Sequence, residues 1–226
     1  MKKKNTKTIL SAFGALAAFA LWTFLIRCVD VQPIGPNGSR VGFAAINGAF
    51  HALTGVHWAL YTLTDWLGLV PIGIALGFAV LGLVQLIRRK SLLKVDRDIL
   101  ILGGFYIVVL AAYLLFETVV INFRPVLIDG KLEASYPSST TMLALCILPT
   151  ALMQLKTRIR GDAVRRAILG ILAAFTVFMV VGRLISGVHW LTDIIGGVLL
   201  SVGLVMLYAF AAKRQGKSRK NSLACV

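Results

Sequence analysis

Gly182-Arg183-Leu184-Ile185-Ser186-Gly187-Val188-His189-Trp190-Leu191-Thr192-Asp193 sets an arginine, a histidine and an aspartate between two long apolar runs. If the run after Val188 is helical, Asp193 lies one turn beyond His189 on the same face. Side chains lean back toward a helix start, so the carboxylate can meet the imidazole. The carboxylate would then accept the Nδ1 proton, fix the tautomer and leave Nε2 free to attack. Arg183 adds a planar fork of donors suited to phosphate. The plainer reading of the same pattern is a helix cap with a satisfied ring.

Outward from this stretch the chain is apolar. Its 226 residues are 58% hydrophobic and 15% charged, and the mean hydropathy is +0.85. That balance excludes a soluble domain and predicts a polytopic membrane protein. Runs at 9–26, 67–87, 99–123, 138–155, 163–182 and 190–212 are each close to the ~20 residues that cross the hydrocarbon. The expected fold is all-α, a six-transmembrane-helix bundle forming one domain over 1–226, with both termini on one side.

The formal charge of +15 is distributed by topology. Nineteen of the 24 Lys and Arg residues fall in the tails 1–7 and 213–226 and in the links after the second and fourth spans. This places those segments on the cytoplasmic side, and the expected location is the plasma membrane of a bacterium. Arg27, Arg40, Arg124, Lys131 and Arg183 remain for the other face. Nucleic acid is excluded as a partner, because such a surface interleaves basic with aromatic residues on a separate domain.

Cys28, Cys146 and Cys225 give neither a paired framework nor metal spacing. Residues 1–20 have the basic and apolar regions of a secretory signal, ending in Ala18-Phe19-Ala20. The apolar run continues to Ile26, which favours an uncleaved first helix. Segment 27–66 is the longest link on the outer side. It opens with the turn-rich Gln32-Pro33-Ile34-Gly35-Pro36-Asn37-Gly38, and 41–63 then reads as a helix lying on the outer leaflet. His51 and His57 there are expected to be interfacial side chains rather than metal ligands.

The third span carries Glu117 and ends at Asn122-Phe123-Arg124-Pro125, with Pro125 as the expected stop. Arg124 reads either as an interface anchor or as a phosphate ligand. Glu117 lies seven residues earlier, on nearly the same helical face. It reads as a structural partner of Arg124 or, when protonated, as an acid. After a polar loop, Tyr136-Pro137-Ser138-Ser139-Thr140-Thr141 looks like a helix start with proline in its first turn. Free amides there make either an ordinary cap or an anion site. All three devices, Arg124, the 137–140 helix start and the 183–193 stretch, are expected on the non-cytoplasmic face. Their coincidence points to phosphate. A channel or transporter would carry more mid-membrane polar residues than Gln85, Glu117 and Gln154.

These residues resemble the PAP2 (type 2 phosphatidic acid phosphatase) superfamily, whose three motifs occur in the same order. Arg183, His189 and Asp193 keep the spacing of the third motif, with Gly182 in place of its serine. Arg124 and Pro125 match the first motif, whose lysine is here Glu117. Pro137 and Ser138 match the second, with Ser139 in place of glycine and Thr140 in place of histidine. The resemblance implies a phosphohistidine mechanism that uses no metal or other cofactor. His189 would be the nucleophile supported by Asp193, and Arg124, Arg183, Ser138, Ser139 and Thr140 would line the phosphate site. The implied substrate is a lipid phosphate taken from the bilayer. Thr140 cannot supply the family's general acid, which leaves two expectations. One is a preference for polyprenyl diphosphates of the undecaprenyl diphosphate kind, whose leaving group needs no proton. The other is a protein that binds lipid phosphate without hydrolysing it.

Overall fold

A computed structural model describes residues 2–223, with side chains for residues 6–213. Cys225 and the side chains of Lys2, Lys3, Lys4, Arg214, Lys217, Arg219 and Lys220 lie outside these limits. The helices are α1 (Lys2–Cys28), α2 (Ala44–Thr54), α3 (Trp58–Leu67), α4 (Leu69–Arg89), α5 (Arg97–Thr118), α6 (Ser139–Arg158), α7 (Asp162–Ile185) and α8 (Leu191–Leu223). Among the described residues there is no β-strand, and extended pairing is limited to isolated bridges. Six helical stretches are long and apolar enough to span a membrane: Thr6–Cys28, Trp58–Arg89, Arg97–Thr118, Ser139–Arg158, Asp162–Ile185 and Leu191–Lys213. The all-α, six-span reading therefore holds.

Two boundaries differ from the sequence reading. The expected interfacial helix over 41–63 is broken in two. Gly55, at a φ of 65°, ends α2, and α3 then runs almost directly into α4 through Gly68, which keeps helical angles of −60° and −20°. The second membrane helix thus starts at Trp58, nine residues before position 67. The third ends at Thr118 rather than at Phe123, so Pro125 is not its stop. The β-branched run Val119-Val120-Ile121 favours extended backbone. The chain beyond it is drawn into antiparallel pairing, with Arg124 N–H donating to the Glu133 carbonyl at 3.0 Å and Ser135 N–H to the Asn122 carbonyl at 2.9 Å.

The hairpin so formed reverses at Asp129-Gly130, both at positive φ (48° and 73°). That is the signature of a two-residue turn, and Asp-Gly is one of its preferred pairs. The reversal brings 122–124 alongside 133–135.

Helix α6 is enclosed by its neighbours, with Thr141, Ala144, Cys146, Leu148, Thr150 and Ala151 all buried. Helix α1 lies along α8, where glycine at position 203 leaves room for Leu16. One end of the bundle gathers the connections after α1, α5 and α7. The opposite end carries the ion pairs Arg89–Asp96 (2.8 Å) and Arg158–Asp98 (2.6 Å).

Candidate active site

His189 sits in the short connection between α7 and α8, not inside a helix as the sequence pattern suggested. The connection is pinned from the α2–α3 side. His57 N–H donates to the Ser186 carbonyl at 3.0 Å, and a His51 ring nitrogen lies 3.1 Å from the Gly187 carbonyl. His51 is therefore held by the bundle rather than lying free at an interface. Gly187 has a φ of 72°, and a Cβ there would run into the Gly55 carbonyl. Only glycine fits that position comfortably.

Asp193 is the third residue of α8, and its Oδ2 accepts the Trp190 N–H at 2.9 Å. A carboxylate in this place satisfies a free amide and meets the positive end of the helix dipole. Its Oδ1 accepts from Asn122 Nδ2 at 3.2 Å. The expected direct bond to His189 is not formed. Nδ1 is 3.9 Å from Oδ2, beyond hydrogen-bond reach. Ser135 stands between them, its hydroxyl donating a short hydrogen bond to Asp193 Oδ2. The same oxygen lies 3.1 Å from His189 Nδ1, and the Ser135 carbonyl lies 3.2 Å from it.

These contacts determine the tautomer. Because Ser135 gives its one hydroxyl proton to the carboxylate, both of its oxygens can only accept from Nδ1, which must carry the ring proton. On the opposite edge, Arg124 Nη1 is 3.4 Å from Nε2. A guanidinium cannot accept, so Nε2 presents its lone pair. Burial pushes the imidazole well below the ordinary histidine range, and the charges of Arg124 and Arg183 push it the same way. Burial and the two guanidinium charges thus favour the neutral ring, and the contacts fit a proton on Nδ1 with the Nε2 lone pair toward Arg124.

Both arginines are held by carboxylates. Arg124 Nε lies 3.1 Å from Glu133 Oε2. Arg183 Nη2 lies 3.2 Å from Asp65 Oδ1, and its Nη1 reaches Thr64 Oγ1 at 3.3 Å. The guanidinium carbon stands 4.8 Å from the centre of the Tyr61 ring. Arg183 Nε is buried and makes no hydrogen bond among the described residues. The two arginines line one open cleft of ≈ 550 Å³ together with Asp65, Tyr113, Glu117, Glu133, Ser139 and Thr140.

The remaining expected site residues divide. Ser139 and Thr140 reach the cleft. Ser138 is the cap of α6, so Pro137 precedes the helix rather than forming its first turn. The Ser138 N–H is already donated to the Asp193 carbonyl at 3.1 Å and is not free for an anion. Its hydroxyl is buried and has no hydrogen-bond partner among the described residues. Glu117 lines the cleft with Arg124, but the shared helical face does not exist, since α5 ends between them, and the ion-pair partner of Arg124 is Glu133. Ser135, Asn122, Glu133 and Asp65 were not singled out from sequence. The Asp129-Gly130 turn was the available signal for the first three, because it predicts that 122–124 and 133–135 pair.

The PAP2 superfamily model matches residues 105–217, half of the chain. The chain belongs to the PAP2 superfamily. A solved relative in structure is a transmembrane PAP2 type phosphatidylglycerolphosphate phosphatase from Bacillus subtilis. It is 21% identical, and the match covers 91% of this chain and 96% of that one with a TM-score of 0.52. The likeness establishes the PAP2 membrane fold. No curated protein matches the sequence. Within the superfamily match lie His189, Asp193, both arginines and the α6 start, whereas Tyr61, Thr64 and Asp65 precede it.

Proposed function

We propose that this PAP2 protein hydrolyses a lipid-linked phosphate through a phosphohistidine intermediate. The observation that carries the reading is the placement of His189: Nδ1 lies 3.1 Å from the Ser135 hydroxyl and Nε2 lies 3.4 Å from Arg124 Nη1, and Arg124 lines one cleft with Arg183. Phosphate oxygens entering the cleft would draw Arg124 away from Nε2 and engage Arg183. Nε2 then attacks phosphorus, the bond to the leaving oxygen breaks, and the ring becomes cationic. Asp193, through its neighbours, stabilises that charge. Water then attacks phosphorus and the phosphorus–nitrogen bond breaks, its electron pair returning to Nε2, so that the ring is neutral again and inorganic phosphate leaves with the protons of the water.

Thr140 in the cleft cannot protonate a leaving group near neutral pH. A lipid diphosphate loses a phosphate monoester whose second ionisation lies near ~6, while phosphatidic acid must expel a far more basic alkoxide. The preferred substrate is therefore a polyprenyl diphosphate of the undecaprenyl diphosphate kind. Glu117, in the same cleft, is the candidate acid for monoesters. The asymmetry of basic residues supports a site on the non-cytoplasmic face of a bacterial plasma membrane with both termini inside.

Phosphate release by the purified protein tests this reading. Undecaprenyl diphosphate should be hydrolysed faster than phosphatidic acid, and His189→Ala should abolish both activities. The reverse order of rates overturns the substrate preference, and release that survives His189→Ala overturns the nucleophile. Tight binding of the diphosphate without any release would support the second reading, a lipid phosphate binder, which the loss of the motif histidine at Thr140 favours.

A further inference from the structure

Asp193 and His189 face each other at 3.9 Å without a hydrogen bond, and the space between them is filled by one hydroxyl. We propose that Ser135 is a positioning residue of the reaction, transmitting the effect of Asp193 to His189 through an Asp193–Ser135–His189 relay. This rests on the reading of His189 as nucleophile.

Four observations support the relay. Ser135 is 2% exposed, so its hydroxyl is shielded from bulk solvent and its orientation is set by its neighbours. It is tied to Asp193 Oδ2 by a short hydrogen bond, as expected for a hydroxyl donating to a carboxylate. It contacts Nδ1 with both Oγ and its carbonyl oxygen, which aims the ring in two directions at once. Finally, its own backbone is fixed by the N–H bond to the Asn122 carbonyl at 2.9 Å. Asn122 in turn holds the second carboxylate oxygen of Asp193. The hairpin thus brings both Ser135 and Asn122 to the Asp193 carboxylate.

The relay also balances as chemistry. When Nε2 bonds to phosphorus the ring gains a positive charge and the Nδ1 proton becomes more acidic. It donates more strongly to Ser135 Oγ, whose own proton is already directed at Asp193. Negative charge is thus felt at the ring along two linked hydrogen bonds, and no proton leaves the enzyme. Charged groups facing the ring are Arg124 from the hairpin, Arg183 from α7 and Asp193 from α8. Only the last favours the cation.

A double-variant cycle on the full-length protein, with farnesyl diphosphate as probe, reads the relay. Ser135→Ala should lower kcat at least about tenfold while KM changes less than about twofold. Ser135→Thr, which keeps the hydroxyl, should recover most of kcat. Ser135→Ala combined with Asp193→Asn should be no slower than Asp193→Asn alone, because both break one path. A Ser135→Ala enzyme within about twofold of wild type, or effects that multiply, overturns the proposal. If Ser135→Ala does not fold, Ser135→Cys replaces it in the cycle and is judged by the same two criteria. The protein has 3 histidines, so ¹⁵N-histidine spectra give an additional readout independent of turnover. The His189 ring signals, assigned by their loss in His189→Asn, should shift in Asp193→Asn but not when Asp193→Asn is added to the Ser135 variant. Equal shifts in both backgrounds overturn the relay. A wild type that releases no phosphate, with the spectra as expected, would sink the phosphatase reading and leave the relay standing.

Discussion

Arg183 of α7 and Asp65 of α3 meet at 3.2 Å, and only one of them is sheltered: the arginine side chain is 1% exposed and the aspartate 56%. The pair joins a buried cation to a carboxylate at the mouth of the cleft. If Arg183 binds phosphate as proposed, the acid that holds it at rest competes with the substrate for it.

Removing that carboxylate leaves a buried guanidinium with Thr64, the Tyr61 carbonyl and the Tyr61 ring as its partners. Between the values for fully buried and fully exposed pairs, Asp65→Ala should cost about 1–2 kcal/mol. Thermal unfolding in detergent checks this. Inorganic phosphate should restore more of the lost Tm in the variant than it adds to wild type. An unchanged Tm would mean that solvent screens the pair.

The depressed basicity of His189 gives a pH dependence with a definite sign. With the neutral ring as the proposed nucleophile, kcat/KM should stay high below the ordinary histidine value of about 6.5 and fall only at lower pH. Arg124→Gln removes a neighbouring positive charge and should move that acid limb upward, alongside a lower kcat. Stability follows the same group. Above about 6.5 the ring is neutral in folded and unfolded chains alike, so its contribution is intact there. It is lost as pH falls from that value toward the folded pKa, because the unfolded chain takes up the proton first. Rate profiles of wild type and Arg124→Gln, with Tm measured against pH, test both signs.

Thr140 shares the cleft with both arginines. A histidine at this position would supply the missing acid. Thr140→His should therefore raise hydrolysis of phosphatidic acid at least about tenfold, with little gain on a lipid diphosphate. Parallel assays on the two lipids decide it, and equal gains would show that leaving-group protonation is not what limits monoesters.

Gly187 combines a φ of 72° with a backbone carbonyl of Gly55 where a side chain would begin. Gly187→Ala should cost more than about 2 kcal/mol. It should also reduce kcat beyond what folding explains, since His189 lies two residues on. Activity per folded molecule, measured below the transition temperature, separates the two effects.

Sidedness is open to a chemical probe. Cys28 is exposed at the end of α1 nearest the site, whereas Cys146 is buried. In intact cells, a variant retaining Cys28 alone should react with a membrane-impermeant maleimide. Labelling only after the cells are opened would reverse the orientation.

Much of this architecture was legible because it is written in local patterns. Six apolar runs identify the bundle, and the spacing of Arg183, His189 and Asp193 points to the end where the proposed site lies. Where the chain leaves regular structure, periodicity says nothing. Ser135 and Asn122 become neighbours of Asp193 only after the Asp129-Gly130 reversal. Extending the third helix through Phe123 hid that reversal and gave Glu117 a face shared with Arg124 that the chain does not form. Asp65 was missed for a different reason. Its partner lies 118 positions away, and the local pattern of 27–66 gives no sign that it holds an arginine.

The half of the chain that the family model matches carries His189 and both arginines of the proposed site, yet the grip on Arg183 comes from residues 61–65, upstream of it. Grafting 105–217 onto a foreign amino-terminal half would transplant the imidazole with its anion hook slackened. Exchanges among related proteins would have to carry this upstream brace along with the motifs.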